Sequence, residues 1–223
     1  MNISKNNILS RIKKNIKSNN TNTEALHKNL KNPKPNLIPK RAILNKDGLL
    51  DIFKNNAENV SSTVKVVRDL DEIPEEISKF LTLNNLESKI TVLPDKDLDN
   101  INWDKAPTLN VEKKFAGKND ETVLTSSFMA IAETGTIVQL SGPQNPITSH
   151  FLPDNYIVLL RASRITSAIE GVFSELRKKY NTIPRTLTMI SGPSRTGDIA
   201  LKMEMGAHGP RKVHLLIIDD RNL

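Results

Sequence analysis

Three segments of the sequence bring together residue types that could do chemistry. The first is Ser191-Gly-Pro-Ser-Arg-Thr-Gly-Asp-Ile199, which follows an apolar run ending at Ile190. A strand, a small-residue turn and a helix start would bring unpaired backbone N–H groups, hydroxyls and one guanidinium together as an anion cradle. Its candidate ligand-binding residues are Ser191, Gly192, Ser194, Arg195, Thr196 and Asp198. The Gly-Lys-Ser/Thr ending of a Walker loop is absent, so nucleoside triphosphate hydrolysis by that device is not supported. The competing reading has Ser194 capping the helix and Arg195 paired with Asp198 on the surface. The second segment is Ala207-His-Gly-Pro-Arg211, where Gly209 and Pro210 force a turn that presents His208 and Arg211 from one loop. His208 could donate a proton or bind an anion, or serve only as a hydrogen-bonding turn residue. The third is Ala132-Glu-Thr-Gly-Thr136. Here Glu133 could be a general base, with Thr134, Gly135 and Thr136 binding a carboxylate or phosphate, or its carboxylate could accept turn N–H bonds. Glu133 and His208 are therefore the candidate catalytic residues. His27 and His150 stand at no metal spacing, and no metal site is expected.

These segments need a scaffold, and the pattern from Lys46 onward alternates helices with strands, the mark of an α/β domain with a largely parallel sheet. Helices are predicted over 47–60 and from about Asp71, the latter with Pro74 in its first turn and Ile77, Phe80 and Leu81 as its buried stripe. Ser163 to Tyr180 reads as the clearest helix, with Ile165, Ala168, Ile169, Val172, Phe173 and Leu176 on one face, and Ser127 to Ala132 as an apolar helical turn or two. Strands are predicted at 63–67, 89–93, 123–126, 136–140, 156–160, 186–190 and 213–218. Seven of the nine glycines lie in the last 90 residues, most of them at strand-to-loop junctions where a ligand could approach the backbone. His214 falls inside an apolar strand and reads as a satisfied interior or edge residue, and Trp103 as a packing anchor.

The 223 residues allow one sizeable core and contain no Cys, which excludes disulfides, thiolate metal sites and a Cys nucleophile. The net charge of +7 is unevenly placed. Residues 1–46 carry 11 Lys and Arg against one acid, while the remaining 177 carry 21 against 24. A basic, Asn-rich extension over 1–46 is thus joined to a slightly acidic domain over 47–223. Ile3, Ile8, Leu9, Ile12 and Ile16 approximate a helical stripe, so the extension is expected to be helical or flexible, with the Pro-spaced residues 31–39 loosely ordered. An anionic membrane surface, RNA or a partner subunit could take it. With 4% aromatics there is no stacking platform, and nucleic acid is not expected as a partner. No apolar run approaches 18 residues, so no transmembrane segment is expected, and without a signal-peptide pattern the expected compartment is the cytoplasm.

Taken together, Ala130-Ile-Ala-Glu-Thr-Gly-Thr-Ile-Val138, Ile190 to Ile199 and His208-Gly-Pro-Arg-Lys-Val-His214 resemble, in order and spacing, the signature of the LutC/YkgG family, the lactate-utilisation group of LUD-domain proteins. Phe151-Leu-Pro-Asp-Asn-Tyr-Ile-Val158 resembles the family's Leu-Pro before a buried strand. The resemblance covers roughly residues 45–220, and departs from the family pattern at Gly197, usually Ala, and Ala200, usually an acid. It implies a three-layer α/β/α fold similar to the NagB/RpiA/CoA-transferase-like group. It also implies an accessory subunit in the oxidation of L-lactate to pyruvate, beside LutA-like and LutB-like partners that carry the iron–sulfur clusters, with no cofactor in this chain and a small carboxylate or phosphate as ligand. The alternative is a stand-alone enzyme of that fold, an isomerase, acyl-CoA transferase or ligase acting on a phosphorylated or carboxylated small molecule, with Glu133 as base or nucleophile. The three motifs are expected to converge at strand ends.

Overall fold

The structure, a computed structural model, describes residues 2–15, 23–31, 37–43, 48–197 and 204–221. Two compact units divide the chain between Leu37 and Ile38. The first holds α1 (Asn2–Asn15) and α2 (Thr23–Lys31). The helix expected around Ile8, Leu9 and Ile12 is α1, and those three side chains are exposed. Lys13 and Lys14 in its last turn complement the carbonyl end of the helix. Ile16 and residues 32–36 of the Pro-spaced stretch lie outside the described residues.

In the second unit the order is α3 (Leu49–Asn59), β1 (Thr63–Val67), α4 (Ile73–Leu83), β2 (Lys89–Val92), β3 (Asn110–Lys113), β4 (Thr122–Ser126), β5 (Met129–Ile131) and β6 (Thr136–Leu140). It continues through α5 (Thr148–Phe151), β7 (Asn155–Arg161), β8 (Ile165–Thr166), α6 (Ile169–Lys179), β9 (Leu187–Ile190), β10 (Arg195–Thr196), β11 (Glu204–Met205) and β12 (Lys212–Ile218). Six strands form a central sheet in the order β1-β12-β7-β4-β2-β3, and every neighbouring pair is parallel. The two longest apolar runs, β7 and β12, take inner positions, as strands without a polar face must.

Alternation along those strands sorts the core into two faces. Ile157, Leu159, Leu216 and Ile218 point with Leu124 toward Ile73, Ile77, Phe80 and Leu81 of α4. Tyr156, Val158, Leu160, Val213, Leu215 and Ile217 point the other way, against Leu49, Leu50, Phe53 and Ala57 of α3. Burying each large apolar side chain stabilises the fold by roughly 1.5–3 kcal/mol. The central parallel sheet flanked by helices is the expected three-layer α/β/α arrangement. Helix α4 starts as predicted, with Pro74 in its first turn, and Asp69 accepts a hydrogen bond from the Asp71 amide just ahead of it.

Beside α3 lies a second sheet, which the sequence does not announce. Its order is β8-β5-β6-β9, with β5–β6 and β6–β9 antiparallel and β5–β8 parallel. Ala130 and Ile137 face the α3 core, while Met129, Ile131, Val138 and Leu140 face Val172 and Leu176 of α6. The predicted helical turn at Ser127–Ala132 is therefore wrong. Its middle is β5, a three-residue strand buried on both faces, which shows no alternation to read. The helix predicted from Ser163 starts only at Ile169, because Ile165 pairs with Ala130 as β8 and Ala168 is extended. Ile169 and Phe173 are also exposed, so the buried stripe is narrower than predicted.

Candidate functional site

Each of the three sequence motifs is held by local structure. The turn of the Ala132–Thr136 motif is a 3-10 segment, Ala132–Thr134, closed by Gly135 in the left-handed region at φ 62°. Asn56 in the last turn of α3 donates through Nδ2 to the carbonyls of Ala132 (2.8 Å) and Glu133 (3.1 Å), and the Glu133 amide donates to Ser167 O (3.1 Å). The Glu133 side chain is half-buried. Thr136 is buried, and its hydroxyl lies 2.6 Å from that of the exposed Thr134 and 2.6 Å from that of Ser191. A hydroxyl chain thus ties the Ala132–Thr136 motif to the segment that begins at Ser191.

Ser194 ties the Ser191–Ile199 segment to the Ala207–Arg211 loop. Its amide donates to Pro210 O (2.9 Å), its carbonyl accepts from the Gly206 amide (2.9 Å), and its Oγ accepts from the His208 amide (3.2 Å). Gly192, at φ 76°, lies so close to Val60 that a Cβ would fall 2.0 Å from the Val60 carbonyl oxygen. Arg195 donates to that same oxygen through Nη2 at 2.7 Å. Arg211 stands 3.6 Å from Asp154 in an exposed ion pair, a geometry that contributes little to stability and leaves the guanidinium accessible. His208 is exposed, Thr196 is half-buried, and Gly209 packs against Ser194 and Phe151.

The expected helix does not open at Arg195. That residue and Thr196 form β10, paired antiparallel with β11 through Arg195↔Met205 and Thr196↔Glu204. Asp198 and Ala200 lie outside the described residues, and Gly197 borders open space. The motifs do converge, and they do so at the amino edge of the central sheet. Val60 precedes β1, Asp154 precedes β7 and the His208–Arg211 loop precedes β12. The small sheet explains this placement. It begins with β8 just past the carboxyl end of β7, and its far strand β9 delivers Ser191 to the segment ahead of β1. Exposed hydroxyls, the guanidinium groups of Arg195 and Arg211, and the exposed imidazole of His208 make this a surface that can bind a small anion.

The opposite edge holds a cleft that sequence reasoning missed. It encloses about 860 Å³, and Asp95, Asp97, Ser126 and Arg164 reach it from the carboxyl ends of β2, β4 and β7. None of the predicted site residues lines it. Arg164 donates to both carboxylate oxygens of Asp97, Nη2 to Oδ1 at 3.1 Å, and Arg161 adds a longer contact at 3.4 Å. Burial alone would push the Asp97 carboxyl up, but the hydrogen bonds and charge of Arg164, then Arg161, more than offset it and hold it below its ordinary value. Ser126 donates to Asp95 at 2.6 Å.

Gln139 and Asn145 line the same cleft and are locked from behind. Gln139 Nε2 donates to the Tyr156 hydroxyl (2.9 Å) and Thr125 Oγ1 (3.3 Å), and Asn145 Nδ2 donates to Leu140 O (3.1 Å). His150 Nε2 lies 2.8 Å from Asn145 Oδ1. That amide oxygen can only accept, so the imidazole carries its proton on Nε2. Burial lowers its pKa to about 4 and keeps the ring neutral. The signal for this cleft was present in the sequence: Asp95 and Asp97 follow one predicted strand, and Arg161 and Arg164 follow another.

Comparison with known proteins agrees with this architecture. A family model described as the LUD domain matches residues 50–218. Lactate utilization protein C of Geobacillus sp. (strain WCH70) is 34% identical over 102 residues, covering 44% of this chain and 42% of that protein. Lactate utilization protein C of Anoxybacillus flavithermus is 34% identical over 98 residues, covering 44% of each. The match thus spans less than half the length of these curated relatives. A crystal structure of a DUF162 family protein from Deinococcus radiodurans superposes with a TM-score of 0.54 over 78% of this chain and 99% of that one, at 20% identity, which speaks to the fold alone.

Proposed function

The chain belongs to the LUD domain family, and from that premise we propose that it serves lactate utilisation as a LutC-like accessory subunit that binds a small carboxylate or phosphate. The observation that carries the reading is that relatives matched over 98 to 119 residues of this chain bear the name lactate utilization protein C. The amino-edge cluster supports it. Arg195 and Arg211 supply charge, Ser191, Ser194, Thr134 and Thr136 supply hydroxyls, and Glu133 and His208 are the groups that could move a proton.

Oxidising lactate to pyruvate releases two electrons and two protons, and the electrons need a carrier. Iron–sulfur clusters are held by thiolates, and these 223 residues contain none, so the donor set here does not fit such a cluster. In this reading the clusters sit on LutA-like and LutB-like partners, and this chain binds and orients the acid or docks the assembly. Co-expression with iron–sulfur lactate-utilisation proteins tests it. The chain should co-purify with them and raise the rate at which lactate bleaches their visible absorbance. No association, together with an unchanged bleaching rate, would overturn the reading.

A further inference from the structure

The carboxyl-edge cleft has features that the lactate reading does not use. Its size is one. About 860 Å³ falls in the range of roughly 300–1,000 Å³ that accommodates cofactor-sized ligands, and a three-carbon acid would leave most of it empty.

Its charge is another. Both acids in the cleft are engaged, Asp97 by Arg164 and Arg161 and Asp95 by the Ser126 hydroxyl. Two of its cations are not. Lys96 and Lys179 have no carboxylate partner among the described residues, whereas the adjacent Lys178 is paired with Glu175. Two aromatic rings stand beside the Lys179 ammonium group. The Lys179 nitrogen lies 5.5 Å from the centroid of Phe128 and 5.9 Å from that of Tyr180, and all three residues line the cleft. Part of the lining is preorganised, since Gln139 is fixed by the buried Tyr156 and Thr125. The position, at the carboxyl ends of parallel strands, is where open α/β sheets take ligands.

We propose that this cleft binds a nucleotide-sized anion that carries an aromatic ring, its phosphate or carboxylate held by Lys96 and Lys179 and its ring lying against Phe128 and Leu140. The inference rests on the cleft and is independent of the lactate reading. Calorimetry on the full chain provides the test, with AMP and FMN as ring-bearing phosphates and indole-3-acetate as a ring-bearing carboxylate. Adenosine and inorganic phosphate serve as the separate halves. At least one ring-bearing anion should bind tenfold or more tightly than either half, and the arm that binds identifies the anion.

The double variant Lys96→Met, Lys179→Met should weaken that binding at least tenfold at unchanged melting temperature. The single variant Lys96→Met, at an exposed position, gives the same reading should the double variant unfold. Ser194→Ala, at the other edge of the sheet, should leave the affinity as it was. No binding below 1 mM by any of the three ring-bearing anions overturns the proposal. So does lysine-independent binding, or binding lost on Ser194→Ala alone, which would place the ligand at the amino edge.

Discussion

Gly135 stands over the last turn of α3 with no room for a side chain: a Cβ there would fall 2.3 Å from the amide nitrogen of Ala57. Its φ of 62° is also a conformation that L-residues adopt at a cost. The turn carrying Glu133 and Thr136 is thereby pressed against the helix that leads into β1. Gly135→Ala should destabilise the protein by about 2–3 kcal/mol, read as a lower urea midpoint at constant slope. Gly197→Ala, which meets nothing within 4 Å, serves as the control and should stay within ~0.5 kcal/mol. Equal effects at the two positions would show that the close approach is not what holds the turn.

The contact between Thr136 and Ser191 links two motifs that are 55 residues apart in sequence. Because Thr136 is buried, its hydroxyl depends on protein partners. In a double-mutant cycle with Thr136→Val and Ser191→Ala, the coupling energy should be about 0.5–1.5 kcal/mol. Strict additivity would mean that the pair does not tie the motifs together.

The convergence of the three motifs was legible in the sequence, because each is a junction rich in Gly and hydroxyl residues beside a readable strand. The edge at which they meet was not. It depends on β5, β6, β8 and β9 forming a second sheet, and two of those strands have only two or three residues, too few to display a period. Ile165 fits the apolar stripe of the following helix as well as it fits β8, and only its pairing with Ala130 decides between them. The cleft was missed for a different reason. Its residues, Asp95, Asp97 and Arg164, flank no glycine, and what marks them is their position just past the ends of β2 and β7.

Asp97 and Arg164 connect the loops after two different strands, with side chains 21% and 33% exposed. The folded carboxyl titrates below its unfolded value of about 3.9. Its contribution is thus fully present above that value and is lost as pH falls through the lower folded one. Asp97→Asn should cost about 1–3 kcal/mol at pH 7, less than breaking a fully buried pair would, because both groups are partly solvated. It should also flatten the acid limb of the stability profile below about pH 4. A variant that denatures in acid as steeply as the parent would remove Asp97 from that limb.

His214 and His150 act over a higher pH range. His214 is buried in β12, its Nδ1 2.8 Å from Thr63 Oγ1 and its ring stacked on Phe80 at 4.4 Å. Burial lowers its pKa to about 4 against the weaker opposing effects of Glu76 and Thr63, and burial does the same for His150. The folded protein keeps both rings neutral down to about pH 4, while the unfolded chain protonates them near 6.5. Between those values the unfolded state binds more protons, so stability falls as the pH drops from 6.5 to 4 and the loss is complete below 4. A displacement from 6.5 to about 4 corresponds to on the order of 3 kcal/mol per ring as an upper limit. His214→Phe retains an aromatic ring against Phe80 and removes one titration. Urea midpoints measured between pH 7.5 and 4 should therefore fall less steeply for the variant, by up to one proton's worth of slope. In the parent, the imidazole NMR signals of His214 and His150 should not move until the pH approaches 4. Signals titrating near 6.5 would show that both rings reach water in the folded state, and would release the His150–Asn145 contact from its role in fixing the wall of the cleft.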